Sequence, residues 1–203
     1  MYIITGTTRG LGKEIETTLL ANNKNVITVN RENLDLSNLD QFPLYIESLK
    51  KNINNKDIVF INNAAVLGDV SPFSNIDRQN IVDTININLV SPLLFLNFLF
   101  SLKNKWMYIN ITSGAAHSTN KYLGLYSVTK SSLKQYLDFL NIEIEDTNCV
   151  GLYNYDPKIM NTDMNKKLKR NLFFNNKKFN SFIAKDPSST SKDLFDFIQS
   201  KIP

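Results

Sequence analysis

The sequence predicts an α/β domain built on a mostly parallel sheet. Short β-branched runs alternate with stretches of helical spacing along most of the chain. The first of those runs opens directly into a glycine-rich turn and a helix, a βαβ beginning. No internal repeat or low-complexity linker interrupts the pattern, so residues 1–203 are read as a single domain. At 203 residues and 42% hydrophobic, the chain can bury a core of its own.

Tyr2–Thr5 reads as a buried strand running into Gly6-x-x-x-Gly10-x-Gly12. Lys13–Ala21 follows with Ile15, Leu19 and Leu20 at helical spacing, and Asn22-Asn23 stop it. Val26–Val29 is the second strand. Asp40–Asn52 has helical spacing through Leu44, Ile46 and Leu49, with Ile53 next in the pattern. Asp57–Ile61 is a strand that ends in Asn62-Asn63-Ala64-Ala65. Asn75–Phe100 reads as helix with a break near Pro92, and Val90–Phe100 is apolar on nearly every side, which calls for cover all round. Trp106–Thr112 is a strand leading into Ser113, and Ser127–Asn141 is a helix. Cys149–Tyr153 is the last core strand, ending at Asp156-Pro157. Beyond Lys158 the chain reads as helical or irregular, closed by an amphipathic helix over Asp193–Ile198.

Composition excludes several classes. The net charge is +4, with acids and bases interleaved except at Lys166, Lys167, Lys169 and Arg170 with Lys177 and Lys178. That cluster reads as a solvated helix face, not a nucleic-acid surface. One cysteine, Cys149, allows no intramolecular disulfide, and with the single His117 it leaves no metal site. The opening Met-Tyr-Ile-Ile-Thr-Gly is unlike a signal peptide, and Leu93–Phe100 is too short to span a bilayer. A cytoplasmic protein with no membrane or nucleic-acid partner is expected.

The glycine turn lies where a strand meets a helix N-terminus, a place suited to a phosphate. After the second strand come Asn30 and Arg31 in place of a carboxylate. An arginine there suits the 2′-phosphate of NADP, and Arg9 can add a second positive group; the plain alternative is two exposed arginines. Tyr126 and Lys130 are four apart, so on a helix they share a face. An ammonium beside a tyrosine favours its phenolate and is expected to lower its pKa. Alone, such a pair is most often a solvated helix edge. Ligands in open parallel sheets bind at the strand C-terminal ends, where the glycine turn, Asn62, Ser113 and Pro157 fall.

Taken in order, these segments resemble the single-domain branch of the short-chain dehydrogenase/reductase family. Thr5-Gly6-x-x-x-Gly10-x-Gly12 is similar to its cofactor turn and Asp35 to its adenine-contacting acid. Asn62-Asn63-Ala64-Ala65 resembles its Asn-Asn-Ala-Gly motif, and Asn88 its active-site asparagine. Ile111-Thr112-Ser113 resembles its serine segment, Tyr126-x-x-x-Lys130 its catalytic pair, and Pro157-x-x-x-x-Thr162 its loop over the nicotinamide. The glycine-turn sequence is most similar to NADPH-dependent carbonyl reductases of the benzil and sepiapterin type.

The resemblance implies a three-layer Rossmann fold that reduces a small-molecule ketone or aldehyde with NADP(H), NAD(H) being the lesser expectation. Tyr126 would give the proton, Ser113 would hold the oxygen, and Lys130 would bind the ribose and depress the Tyr126 pKa. Asn88 would position a water leading to Lys130. The cofactor would meet Gly6, Thr8, Arg9, Gly10, Leu11, Gly12, Asn30, Arg31, Asp35, Leu36, Asn62, Ala64, Tyr126, Lys130, Pro157, Met160 and Thr162. The substrate would lie among Ala115–Leu125, Val66–Phe73 and the segment after Thr162. Tyr122, Tyr153 and Tyr155 would line it or serve as core aromatics, the latter for Tyr153.

Departures from the pattern carry their own expectations. Ala65 and Lys158 stand where the family has glycine, and a β-carbon at either place would crowd the cofactor. Too few residues separate Arg31 from Asp35 to hold the usual third strand, and the usual seventh strand has no counterpart after Ile198. A shortened sheet follows, with a homodimer through the helices around 90–100 and 127–141. Two other functions fit the same residues: a protein that binds and senses NADP(H) without turnover, and an enzyme acting on nucleotide-linked sugars. The second usually has a larger C-terminal domain, and this chain ends too early for one.

Overall fold

The computed structural model describes residues 1–53, 56–144, 147–171, 174 and 181–202. Lys177 and Lys178 lie outside them. Among the described residues, five strands form one parallel sheet in the order β2–β1–β3–β4–β5. They are β1 (Tyr2–Thr5), β2 (Val26–Val29), β3 (Ile58–Asn62), β4 (Trp106–Ile111) and β5 (Cys149–Tyr155). The chain order reverses between β1 and β3, which opens a crevice at their C-terminal ends.

Strand periodicity divides the core into two layers. Ile3, Ile58, Phe60 and Tyr108 face α2 (Phe42–Ile53), α4 (Ser91–Phe100) and α5 (Gly124–Glu143). Ile4, Val59, Ile61 and Ile109 face α1 (Gly10–Ala21) and the closing helix, α7 (Pro187–Gln199). Residues that alternate along one strand thus serve opposite layers, the period of two made visible. The aromatic centre is tight: Phe60 stacks on Tyr108 at 5.4 Å and meets Phe95 at 4.8 Å.

The shortened sheet is as the spacing requires. Between β2 and β3 the described residues hold no strand, and a turn through Asn30–Asn38 takes its place. Asn33 folds back along the exposed edge, its Nδ2 donating to the Thr28 carbonyl at 2.8 Å. β5 is the other edge.

Several boundaries differ from the sequence reading, each for a local reason. The first helix starts at Gly10, inside the glycine turn, and Leu20 is 54% exposed. α2 starts at Phe42 after a 3₁₀ turn, and Phe42 takes the buried place expected of Leu44, which is exposed. α5 starts three residues early, at Gly124, and β5 runs on to Tyr155. α7 starts at Pro187 because Asp186 accepts the Ser188 N–H and proline fits the first turn.

Arg78–Phe100 forms one helical run, α3 (Arg78–Ile85), a π turn (Asn86–Val90) and α4. The break expected at Pro92 is this π turn. Proline has no N–H to give to the Asn88 carbonyl, so the ladder widens there, and the Ser91 N–H donates to Asn86 instead. The run has the length and composition of a membrane span, yet Phe95, Leu96, Phe98 and Leu99 are buried in the core.

A polar ladder crosses the sheet. Asn62, Asn110 and Asn154 are register partners on β3, β4 and β5. Asn62 Nδ2 donates to Asn110 Oδ1 at 3.2 Å, and Asn110 Nδ2 donates to Asn154 Oδ1 at 2.8 Å. Asn110 is fully buried. Asn110→Ala leaves a donor and an acceptor unpaired and is expected to lower stability by roughly 2–4 kcal/mol in urea unfolding. A loss under about 1 kcal/mol would mean that the ladder adds nothing.

Candidate active site

The base of the crevice is bridged by hydrogen bonds to one side chain. The buried Thr5 Oγ1 accepts the N–H of Asn63 at 3.0 Å and of Ala64 at 2.9 Å. Asn63 Nδ2 returns the contact, donating to the carbonyls of Thr5 and Gly6. Gly6 and Gly10 have φ of +73° and +58°, which a side chain would strain. Gly12 is needed for closeness: a β-carbon there would collide with the Gly6 carbonyl and Asn63 Nδ2. The turn therefore brings the α1 N-terminus onto the β1–β3 gap.

A cleft of about 610 Å³ starts at this turn. It is lined by Gly6, Thr8, Arg9, Gly10, Leu11 and Gly12, by Asn30, Arg31, Asp35 and Leu36 from the turn after β2, and by Ala64. Its other end is formed by Tyr126, Lys130, Pro157, Met160 and Thr162. Of the residues expected to meet the cofactor, Asn62 is not in the lining. Its side chain is buried in the asparagine ladder, and Asn63 lines the cleft in its stead. The sequence reading had set Val66 and the segment after Thr162, here Asn165, on the substrate side, and it passed over Val29, Leu34 and Ile87 in the lining. Their signal was only position, at strand ends or just beyond a motif.

Asp35 is held as a carboxylate. Its Oδ1 accepts the Ser37 N–H at 2.9 Å and the Ser37 hydroxyl at 2.8 Å, and these bonds lower its pKa. Arg31 and Arg9 are exposed at the cleft edge.

α5 carries Tyr126 and Lys130 into the far end, both buried. Lys130 Nζ donates to the Ile111 carbonyl at 2.8 Å and lies 5.9 Å from the Tyr126 ring centre. Ser113 caps the 3₁₀ turn Gly114–His117, its oxygen accepting the Ala115 N–H. The same hydroxyl meets that of Tyr126 and favours its ionised form. Asn88, in the π turn, accepts the Val66 N–H and donates to the Val66 carbonyl and to Thr129 Oγ1. Both amide hydrogens are thus committed, and what Asn88 fixes directly is the Val66 loop and the first turns of α5.

The expected lowering of the Tyr126 pKa is not found. Burial pushes it up to about 12, outweighing the Ser113 hydrogen bond, and the nearby Asp156 charge adds to the rise. The phenol is therefore protonated at neutral pH, not a phenolate. Burial also brings Lys130 down to about 8.

Ala65 and Lys158 behave differently from each other. The Ala65 methyl packs with the apolar cluster of Leu67, Val70, Leu123, Tyr126 and Leu168. Lys158 keeps the left-handed backbone of a glycine, with φ of +63°. Tyr122, just before α5, is left-handed as well, at +66°. Tyr153 and Tyr155 pack on Phe197 of α7, as core aromatics do.

The Lys130 shift has a thermodynamic signature. Between about 8 and the ordinary 10.5, the unfolded chain holds a proton that the folded chain has released. The stability contribution of this group therefore rises with pH across that window and is lost as pH falls through about 8. Relative to Lys130→Met, the wild type is expected to gain about 1 kcal/mol in urea unfolding between about pH 8 and pH 9. Parallel pH profiles would count against a buried ammonium.

Comparison with known proteins agrees with this geometry. A profile of the short chain dehydrogenase family matches residues 33–172. Benzil reductase ((S)-benzoin forming) of Bacillus cereus is 26% identical over 195 residues, 82% of this chain and 78% of that one. The 3-ketoacyl-(acyl-carrier-protein) reductase of Brucella melitensis, solved with NADH, superposes with a TM-score of 0.80 at 16% identity, over 100% of this chain and 92% of that one. A short chain dehydrogenase of Burkholderia cenocepacia J2315, solved with NADP, gives 0.73 at 17% identity, over 98% and 83%. With its parallel sheet, its glycine turn and its match across most of the length, the chain belongs to the short-chain dehydrogenase/reductase family.

Proposed function

We propose that this protein reduces the carbonyl group of a small molecule with NADPH, and that Tyr126 supplies the proton. One observation carries the reading: Tyr126 and Lys130 line one end of a cleft whose other end is the glycine turn, and the Ser113 hydroxyl meets that of Tyr126. The residues fit a dinucleotide. Gly6 and Gly12 let the turn close on the loop after β3, where a β-carbon would collide, and this sets the α1 N-terminus at the cleft, where it favours a pyrophosphate. Arg31 and Arg9 favour a 2′-phosphate over a bare hydroxyl. Relatives named for benzil reduction and diacetyl reduction support a carbonyl substrate.

When bound, the reduced nicotinamide supplies the hydride. Everything else falls to the chain. Ser113 donates a hydrogen bond to the carbonyl oxygen as it gains charge. Tyr126, protonated at neutral pH, gives its proton to that oxygen. Lys130 holds the nicotinamide ribose and, being cationic, steadies the phenolate left behind. Asn88 anchors the Val66 loop against α5, which keeps these groups in register. A cytoplasmic location goes with this reading.

We also propose a homodimer through α4 and α5. Val128, Tyr136, Phe139 and Ile142 form an exposed apolar row on α5, and Leu93 and Leu94 of α4 are only partly covered. A second copy would cover them.

Two measurements test these readings. A coupled assay with NADPH and NADH against dicarbonyls, quinones and pterin-like ketones is expected to show NADPH-dependent reduction. Tyr126→Phe is expected to cut it by about 10²-fold or more while cofactor binding persists. A clear preference for NADH would overturn the role of Arg31, and cofactor binding with no turnover on any carbonyl would favour a sensing protein. Light scattering is expected to give a dimer that Phe139→Glu converts to monomer; a stable tetramer would refute this interface.

A further inference from the structure

Lys158 holds a backbone conformation that side chains avoid, with φ of +63°. Its neighbour Asp156 supplies the reason. Asp156 Oδ1 accepts the Lys158 N–H at 2.9 Å, and Oδ2 accepts Lys158 Nζ at 3.0 Å. The pair closes a ring around Pro157, which lines the cleft. The Lys158 side chain is 68% exposed and that of Asp156 24%, so the lysine stands in water and the aspartate is the more covered partner.

The position of Asp156 matters more than the pair itself. It is the first residue past β5, at the strand ends. Its predecessor Tyr155 is in register with Ile111, whose carbonyl holds Lys130. The Tyr155 carbonyl accepts the N–H of Thr112, the neighbour of Ser113. Asp156 therefore emerges beside the serine segment, and its charge is felt at the Tyr126 hydroxyl. Besides the Ser113 hydroxyl and the Lys130 side chain, which is tied to the Ile111 carbonyl, the wall about Tyr126 is apolar, with Leu67, Val70, Leu123 and Leu168. A negative charge in such surroundings acts strongly on a second one brought near it.

Resting on the carbonyl-reductase reading, we propose that Asp156 is a specificity-determining residue. Held in place by Lys158, its carboxylate bars compounds that carry an acid group next to the reacting carbonyl, and it leaves the site to uncharged ketones and aldehydes with apolar flanks. This is selection by repulsion, with the apolar wall providing the attraction.

A matched pair of compounds tests it: benzoylformate, an anion, and its uncharged methyl ester, each reduced with NADPH. The wild type is expected to favour the ester. Asp156→Asn keeps an oxygen for the Lys158 N–H and removes the charge. It is expected to raise kcat/KM for the acid relative to the ester by about tenfold. Lys158→Gly suits the left-handed backbone and uncovers the carboxylate, so it is expected to move the same ratio the opposite way, by about threefold. Loss of a merely structural clamp would not push the two variants in opposite directions. An unchanged ratio in Asp156→Asn, or movement in one direction by both variants, overturns the proposal. If the wild type turns over neither compound, it is the carbonyl reading that fails for this pair, and binding then decides on Asp156. In calorimetric titrations with NADP⁺ present, Asp156→Asn is expected to tighten benzoate about tenfold relative to benzamide. An unchanged benzoate-to-benzamide ratio there would overturn the role of Asp156.

Discussion

Thr5 carries a single hydroxyl to a fully buried place at the end of β1, and two backbone N–H groups of the next strand's loop converge on it. In a parallel sheet the strands separate at the point where the chain order reverses, and backbone donors there lose their ladder partners. Thr5 and Asn63 satisfy those groups across the gap, each bonding to the backbone around the other. The glycine turn can then lie flat against the loop, close enough that Gly12 has no space for a methyl group. The cleft, its lining and the approach of α1 all depend on this closure.

The sequence was informative where a residue type has few reasons to be in its place. Glycines between a strand and a helix, and a tyrosine and lysine four apart behind a serine, could be read because their spacing serves one geometry. The missing third strand was legible too, since the few residues between Arg31 and Asp35 cannot make a helix and a strand. Less legible was anything set by packing. Leu44 and Phe42 fit the same helical pattern, and only the neighbouring layer decides which is buried. Asn62 and Asn63 are adjacent and identical in type, and the pleat alone sends one into the sheet and the other toward the cleft.

The Tyr126 ionisation shows the same limit in chemical terms. From the spacing alone, a nearby ammonium pointed downward, but that argument contains no term for desolvation. In the folded chain, Tyr126 and Lys130 are both buried, and each is pushed toward its neutral form. The consequence is that the phenol is protonated at neutral pH and that burial works against any phenolate formed there, so a stabilising charge or hydrogen bond beside it matters the more.

The asparagine ladder has a mechanical side. Asn154, its last member, reaches the Lys134 carbonyl and the Asp138 carboxylate on α5. The helix that bears Tyr126 and Lys130 is thereby pinned to the sheet by polar contacts that are specific in position, while the leucines beneath it would tolerate a small slide. Apolar layers resist separation better than they resist shear. The ladder works as a transverse ruler, setting how far along the strands α5 comes to rest, and with it the height of the tyrosine above the strand ends.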